Sequence, residues 1–159
     1  MLVFPRWKDY IGSMAQTHPI AFTKMNGLGN DFVVIDARRE RLALAEEEVR
    51  ALTARENTDT KGCDQLLILH PPHNAGRDKG AVFMPILNAD GSEVEACGNG
   101  ARAVAAYLAS LGTPEPVIET LGGTLQAHAA RREAVRSSDG NVMYPAFVAI
   151  VLRRPSGAR

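Results

Sequence analysis

The spacing of apolar residues along the chain predicts two helices. In the first, Ala45, Val49 and Leu52 share one face. The second is expected to begin near Asn99 and to end at Leu111, because apolar residues recur there every three or four positions and a glycine follows as a stop signal. Both segments are long enough to bury an apolar stripe against other elements.

Short β-rich runs lie on both sides of the second helix. Pro85 lies inside one run and is expected to confine it to a sheet edge or a bulge, and the Gly122–Gly123 dipeptide predicts a hairpin turn. Strands before and after one well-formed helix favour an α+β fold over a regular alternation of strands and helices. The predicted strands are Phe32–Asp36, Gln65–His70, Ala81–Leu87, Val117–Thr120 and Thr124–Ala127.

The two ends of the chain differ from its centre. Residues 1–20 hold no continuous apolar segment, which argues against a signal peptide, and they are expected to form a poorly ordered extension, with Met14 as an alternative start. Residues 128–159 hold six arginines against two acids, and a strand at Phe147–Leu152 would find few partners. We therefore expect one domain over residues 21–127, followed by a divergent tail.

Composition narrows the class of protein. The 159 residues are 45% hydrophobic and 23% charged with a formal net charge of zero, so a globular domain is expected and a broadly basic nucleic-acid surface is not. No apolar run approaches the roughly 20 residues of a membrane span. The two cysteines, Cys63 and Cys97, are too few for a disulfide scaffold and lack zinc-site spacing, so a reducing cytoplasm and no bound metal are expected.

Cys97 lies directly before a Gly-Asn-Gly turn at the start of the second helix. The positive end of the helix dipole favours a thiolate there, and the free N–H groups of the first turn can bind a carboxylate. The simpler interpretation is a buried structural cysteine, but the dense polar run before Cys97 favours chemistry on an acid. Cys63 is interpreted as a small core residue, because no helix start follows it.

Amide side chains accompany this thiol in three polar segments, around Asn30, Gln65 and residues 88–99. Amides and backbone N–H groups hold carboxylates and ammonium groups without adding a competing acid or base. Such segments would suit an amino-acid ligand if they converge. Alternatively, Asn30 caps an ordinary turn and Gln65 satisfies loop backbone. No lysine lies in a setting that indicates pyridoxal phosphate, and the histidines are interpreted as solvated or structural.

Three segments together resemble the N-terminal half of diaminopimelate epimerase: Phe22–Phe32, Gly62–Gln65 and Asn88–Arg102. The ordered agreement runs from about Ala21 to Ala127. The resemblance implies a cofactor-independent isomerase of lysine and peptidoglycan biosynthesis that interconverts LL- and meso-diaminopimelate. It also implies two similar α+β domains, each wrapping mixed or antiparallel strands around a central helix, with the site between them. The family commonly forms dimers, which makes a homodimer an open alternative to a monomer.

In that family two cysteines flank the substrate α-carbon, one removing the proton as thiolate and the other returning it from the opposite face. By motif match, Cys97 would be one of the two. The substrate would be held by Asn30, Gln65, Asn88, Gly98 and Asn99. The resemblance implies no cofactor and no metal.

The chain departs from the family pattern at its end. The family's second half carries an Ala-Cys-Gly-Thr-Gly motif with the partner cysteine, and this sequence has no such motif. Cys63 matches a different segment and cannot replace it. The resemblance stops after Val142, which suggests a truncated or frame-shifted reading frame and predicts little or no activity from this chain alone. The alternatives are a related cofactor-free racemase, such as a proline-racemase-like enzyme, and a non-catalytic amino-acid-binding half-domain.

Overall fold

The computed structural model describes residues 20–39, 42–73 and 80–129, together with three short strands beyond them. In chain order the elements are β1 Thr23–Gly27, β2 Asn30–Asp36, α1 Glu46–Thr53, β3 Gln65–Leu69, β4 Ala81–Phe83, β5 Ile86–Asn88, β6 Glu93–Val94, α2 Gly98–Ser110, β7 Val117–Thr120, β8 Gly123–Ala129, β9 Val135–Arg136, β10 Val142–Met143 and β11 Ile150–Arg153. Both predicted helices are present, and α2 begins and ends one residue before the expected positions.

The strands form two mixed sheets. Sheet A has the order β6-β5-β3-β2-β1-β10-β9, and sheet B has the order β11-β8-β7-β4. Three strand pairs are parallel, β1 with β10, β2 with β3 and β4 with β7, and the other pairs are antiparallel. The expected α+β class is therefore confirmed.

Helix α2 lies in the core between the two sheets. Its buried residues are mostly small and occupy most of its circumference, which is the pattern of a helix covered on several sides. They pack with one face of sheet A and with residues of sheet B in a single apolar cluster. The side chains of that cluster include Met25, Phe32, Val34, Leu67, Leu69, Val82, Ile86, Val104, Leu108 and Ile118. This arrangement is the predicted set of strands around a central helix.

The other face of sheet A carries a second apolar cluster beneath α1. Because strand side chains alternate between faces, Val33 and Ile35 of β2 point to this cluster while their neighbours point to α2. Leu66 and Ile68 of β3 follow the same alternation. The central strands are thus buried on both faces, which explains why β3 is a continuous apolar run.

Strand β1 was not predicted by the sequence analysis. In the structure β1 and β2 form a hairpin, with Gly27 opposite Asn30. The two loop residues, Leu28 and Gly29, have φ angles of 51° and 89°. Positive φ at both central residues is the requirement of a type I′ turn, whose twist matches the strands it joins.

The prediction of one strand over Ala81–Leu87 is wrong. Met84 donates its backbone N–H to Glu119 of sheet B, and the carbonyl of Pro85 accepts from Ile68 of sheet A. Pro85 therefore marks the point where the chain crosses between sheets, rather than a bulge within one strand. The strand expected near residue 150 to find few partners is β11, which pairs with β8 at the edge of sheet B.

In the loop after α1, we expect Gly62→Ala to lower the free energy of unfolding strongly. Gly62 has a φ of 67°, and an added Cβ would lie 2.7 Å from the Cα of Arg55 and 2.8 Å from the carbonyl of Ala54. The left-handed backbone costs about 1–2 kcal/mol for a non-glycine residue, and the backbone clash adds roughly 1–3 kcal/mol. The free energy of unfolding, measured by urea titration, should fall by about 2–5 kcal/mol.

Gly29→Ala is the matched control for that change. Gly29 also has a positive φ, 89°, but nothing lies within 4 Å of an added Cβ. The Gly29→Ala variant should lose only the part of the free energy of unfolding that comes from the left-handed backbone, about 1–2 kcal/mol. Equal losses in the two variants would show that the close approach at Gly62 does not constrain the loop.

Candidate functional site

The ends of three neighbouring strands meet at one edge of sheet A. Phe32 of β2 is opposite Gln65 of β3, and Gln65 is opposite Asn88 of β5. Directly paired residues share a face, and Asn30 lies two residues before Phe32, so all three amides project on the same face as Phe32. That face packs against α2. Register and alternation therefore bring Asn30, Gln65 and Asn88 to the side of the sheet that carries the central helix.

The amides form two hydrogen-bonded pairs. Asn99, in the first turn of α2, donates from Nδ2 to Oδ1 of Asn30 at 2.9 Å. Gln65 donates from Nε2 to Oδ1 of Asn88 at 3.1 Å. Four of the residues expected to hold a ligand are thus placed side by side at the end of the sheet and the start of the helix. The alternatives of a capped turn and of satisfied loop backbone do not describe these contacts.

Cys97 is the N-cap residue of α2. Its backbone is extended, and its sulfur accepts a hydrogen bond from the backbone N–H of Gly100 at 3.3 Å. The side chain is half-buried at the edge of the apolar cluster, and the neighbouring Gly98 is exposed. The first backbone N–H groups of a helix have no partner within it. The thiol and the first turn of the helix therefore lie next to each other, as the Cys-Gly-Asn-Gly sequence predicted.

The turn between β7 and β8 supports the segment just before Cys97. Gly122 donates its backbone N–H to the carbonyl of Glu95 at 2.8 Å. A Cβ at Gly122 would lie 2.9 Å from that carbonyl oxygen and 3.1 Å from the Cβ of Ala96. The glycine pair predicted the hairpin correctly, but no sequence signal indicated that its tip contacts the cysteine loop.

Cys63 is a core residue, as predicted. It is 2% exposed within the cluster beneath α1. Burial raises the pKa of the Cys63 thiol to about 11. A thiol in this setting is neither accessible nor ionised near neutral pH, so it is unsuited to acid–base chemistry.

A network of charges lies behind Asn30. Arg55 bridges the carboxylates of Asp31 and Asp64, with Nη2 at 2.7 Å from Oδ1 of Asp64. Lys24, which is buried, lies 3.3 Å from Asp31 and also donates to the carbonyl of Gly62. Asp64 accepts from the backbone N–H of Asp31 at 2.9 Å, which ties the start of β3 to β2. Lys24 and Arg55 were not predicted, because their partners lie far away in sequence.

The three histidines within the described residues have structural surroundings. His70 is buried and is backbone-paired with Phe83. His73 packs edge-on against the Phe83 ring at 4.2 Å, and burial lowers its pKa against the opposing charge of Glu119. His128 lies 3.0 Å from a carboxylate oxygen of Glu115.

In the part of the chain that the structure describes, no three histidine, cysteine or acidic side chains are grouped to hold a metal. The helices within that part are too short or too polar to span a membrane.

Comparison with known proteins identifies a family. A model of the diaminopimelate epimerase family matches residues 22–145. The diaminopimelate epimerase of Rhodospirillum centenum is 48% identical over 106 residues, covering 66% of this chain and 35% of that protein. The enzyme of Halorhodospira halophila is 49% identical over 109 residues, covering 67% and 36%. That of Teredinibacter turnerae is 39% identical over 136 residues, covering 83% and 48%. The chain thus spans about a third to a half of the length of the curated relatives it matches.

The different environments of the two thiols predict different reactivity. In native protein at about pH 8, a disulfide reagent should titrate Cys97 rapidly and Cys63 only after unfolding, because only Cys97 is accessible. The Cys97→Ala variant should lose the rapid phase while keeping the phase released by denaturant. Equal rates for both thiols in native protein would contradict this assignment.

The charge network predicts a dependence of stability on pH. Burial opposes ionisation of Asp31, but hydrogen bonds and charges from Arg55 and Lys24 outweigh it and hold the pKa of Asp31 below its ordinary value of 3.8. A carboxyl whose pKa is lower in the folded state stabilises that state fully at a pH above its unfolded-state pKa. This contribution is lost as the pH falls through its folded-state pKa. The free energy of unfolding should therefore decrease below about pH 4.

The Asp31→Asn variant should show a shallower decrease in stability over the same acid range. Asp59→Asn makes the same change of charge at an exposed aspartate in the loop between α1 and β3, and it serves as the control. Urea unfolding at a series of pH values measures both variants. An acid slope in Asp31→Asn equal to that of the wild type would show that the network does not couple to folding.

Proposed function

Because this chain belongs to the diaminopimelate epimerase family of isomerases, we propose that its described residues form one half of the active site of a cofactor-independent epimerase of lysine biosynthesis. The substrate class is diaminopimelate, and the reaction is proton transfer at its α-carbon. The observation that carries the proposal is the meeting of an accessible N-cap thiol, Cys97, with four amides at one edge of sheet A. The proposal also places the protein in the cytoplasm, as a monomer or a homodimer.

Cys97 is the acid–base residue of this half-site. As thiolate, its sulfur takes the α-proton and forms an S–H bond, while the electron pair of the broken C–H bond stays on the substrate as a carbanion. The proton then returns from sulfur to carbon, or exchanges with solvent before it returns. Such positioned proton transfer contributes roughly 10²–10⁴-fold to a rate.

The helix N-terminus beside Cys97 can stabilise the negative charge that develops. Free N–H groups at Gly98 and Asn99 lie at the positive end of a 13-residue helix. A carboxylate bound there gains negative charge as the adjacent α-carbon loses its proton, so these donors act most strongly on the transition state. The side-chain amides of Asn30, Gln65, Asn88 and Asn99 would hold the remaining polar groups of the substrate.

Inversion of the α-carbon needs a second proton carrier on the opposite face. The sequence contains two cysteines, and Cys63 is buried within the core with a pKa of about 11. Cys97 alone can remove and return a proton on one face only. We therefore propose that this chain by itself exchanges the α-proton without efficiently inverting the centre.

Deuterium exchange tests this function. In heavy water containing LL-diaminopimelate, the wild-type chain should replace α-hydrogen by deuterium, with little conversion to the meso isomer. Cys97→Ala should lower the exchange rate by about 10²–10⁴-fold, because it removes the proton carrier. Loss of the α-proton signal in NMR measures exchange, and chiral chromatography measures inversion.

Cys63→Ala is the matched control, since it removes a thiol outside the site. It should retain the wild-type exchange rate. Equal, non-zero exchange in wild type and Cys97→Ala would reject the role of Cys97. Binding of diaminopimelate without any exchange would favour the non-catalytic half-domain, and exchange of proline in preference to diaminopimelate would favour a related racemase.

A further inference from the structure

The direction of each side-chain amide in the site depends on its neighbours. An amide can present either its oxygen or its nitrogen to a partner, so its orientation is fixed only by a group that accepts alone or donates alone. Ionised carboxylates are such groups, because they only accept. Two carboxylates, Asp90 and Asp64, lie at the outer ends of the two amide pairs.

The first chain of hydrogen bonds starts at Asp90, in the turn after β5. The hydroxyl of Ser92 donates to Oδ1 of Asp90 at 2.5 Å, and the Ser92 backbone N–H donates to the same oxygen at 2.8 Å. These hydrogen bonds hold the pKa of Asp90 below its ordinary value, so the carboxyl is ionised at neutral pH. Because the hydroxyl proton of Ser92 is donated to Asp90, the Ser92 oxygen can only accept a hydrogen bond from its other neighbour.

That neighbour is Asn88. Its Nδ2 donates to Oγ of Ser92 at 3.1 Å, which turns its Oδ1 away from Ser92. The Oδ1 of Asn88 accepts from Nε2 of Gln65 at 3.1 Å. The oxygen of Gln65 is then the free end of this chain of hydrogen bonds. Within the residues that the structure describes, no protein group donates to it.

The second chain has the same polarity. Asp64 is fixed by Arg55 and by the Asp31 backbone, and it accepts from Nδ2 of Asn30 at 3.5 Å. The Oδ1 of Asn30 accepts from Asn99 at 2.9 Å. Among the described residues, the Asn99 oxygen is then the free end of this second chain of hydrogen bonds. Two independent carboxylates thus orient two amide pairs in the same sense.

We propose that Asp90 and Ser92 are positioning residues of the site, which orient Asn88 and Gln65 so that the Gln65 oxygen faces the ligand as an acceptor for a protonated amine. The inference rests on the proposed function for the identity of the ligand, but the orientation itself concerns the protein alone. The competing explanation is that Asp90 and Ser92 only close the turn after β5, where Asn88 and Ser92 also share a backbone hydrogen bond.

The variant that separates these explanations is Ser92→Ala, with Ser92→Thr as the conservative rescue. Ser92→Ala removes the acceptor for Asn88 but keeps the backbone bond of the turn. In ¹⁵N-resolved NMR spectra, the side-chain NH₂ signals of Asn88 and Gln65 should shift in Ser92→Ala and return in Ser92→Thr. The NH₂ signals of Asn30 and Asn99, which belong to the second chain of hydrogen bonds, should not shift.

Ligand binding supplies a second measurement. Calorimetry should show LL-diaminopimelate binding Ser92→Ala about tenfold or more weakly than wild type, the cost of losing one hydrogen bond to a charged group. Pimelate, the diacid of the same length without amines, should bind both proteins equally. Ser92→Thr should restore the wild-type preference for the diamine.

Unchanged NH₂ signals of Asn88 and Gln65 in Ser92→Ala would overturn the inference whatever the binding result, and so would an equal loss of affinity for both ligands. If Gln65→Ala leaves diaminopimelate binding unchanged, the proposed role of Gln65 in the substrate site fails instead, while the NMR result still decides the positioning role. Where Ser92→Ala lowers the melting temperature, Asp90→Asn keeps the turn and should shift the same two signals in the same direction.

Discussion

The site depends on the register that joins β2, β3 and β5. Gln65 is opposite Phe32 on one side and Asn88 on the other. A slip of one residue in β3 would move Gln65 to the face of α1 and expose its apolar neighbours to the wrong cluster. Because β3 is buried on both faces, that slip would disturb two apolar clusters at once. The same packing that stabilises the sheet therefore fixes the positions of the amides.

Helix α2 provides the second constraint, since its position between the sheets determines where its N-terminus lies. Its buried residues are mostly small, and a Cβ at Gly100 would lie 3.3 Å from a side-chain carbon of Leu67 in β3. The first turn of the helix can therefore approach the sheet closely enough for Asn99 to reach Asn30. Gly122 supports the approach to Cys97 from sheet B through Glu95. The thiol is thus positioned by both sheets, although it belongs to neither.

Much of this arrangement follows from local sequence, and the remainder does not. The helices, β2, β3, the β7–β8 hairpin and the core position of Cys63 were predicted because apolar spacing and turn glycines are local signals. Strand β1 was missed because Asn26 and Gly27 have low strand propensity, and its pairing with β2 outweighs that propensity. The passage of the chain between sheets at Pro85 and the partners of Lys24 depend on contacts distant in sequence. The polar motif predicted that these amides would come together, whereas register and packing determine how they pair.

The charged side chains behind Asn30 are paired with one another. Arg55 and Lys24 neutralise Asp31 and Asp64 behind Asn30, and the interaction with both cations keeps the pKa of Asp31 low. Asp31 therefore stays ionised and paired at neutral pH, so it does not compete for the proton of a ligand. Amides do not titrate in the physiological range. In the active site proposed above, at the start of α2, the Cys97 sulfur is then the proton carrier, and the surrounding polar groups hold a ligand without altering its protonation.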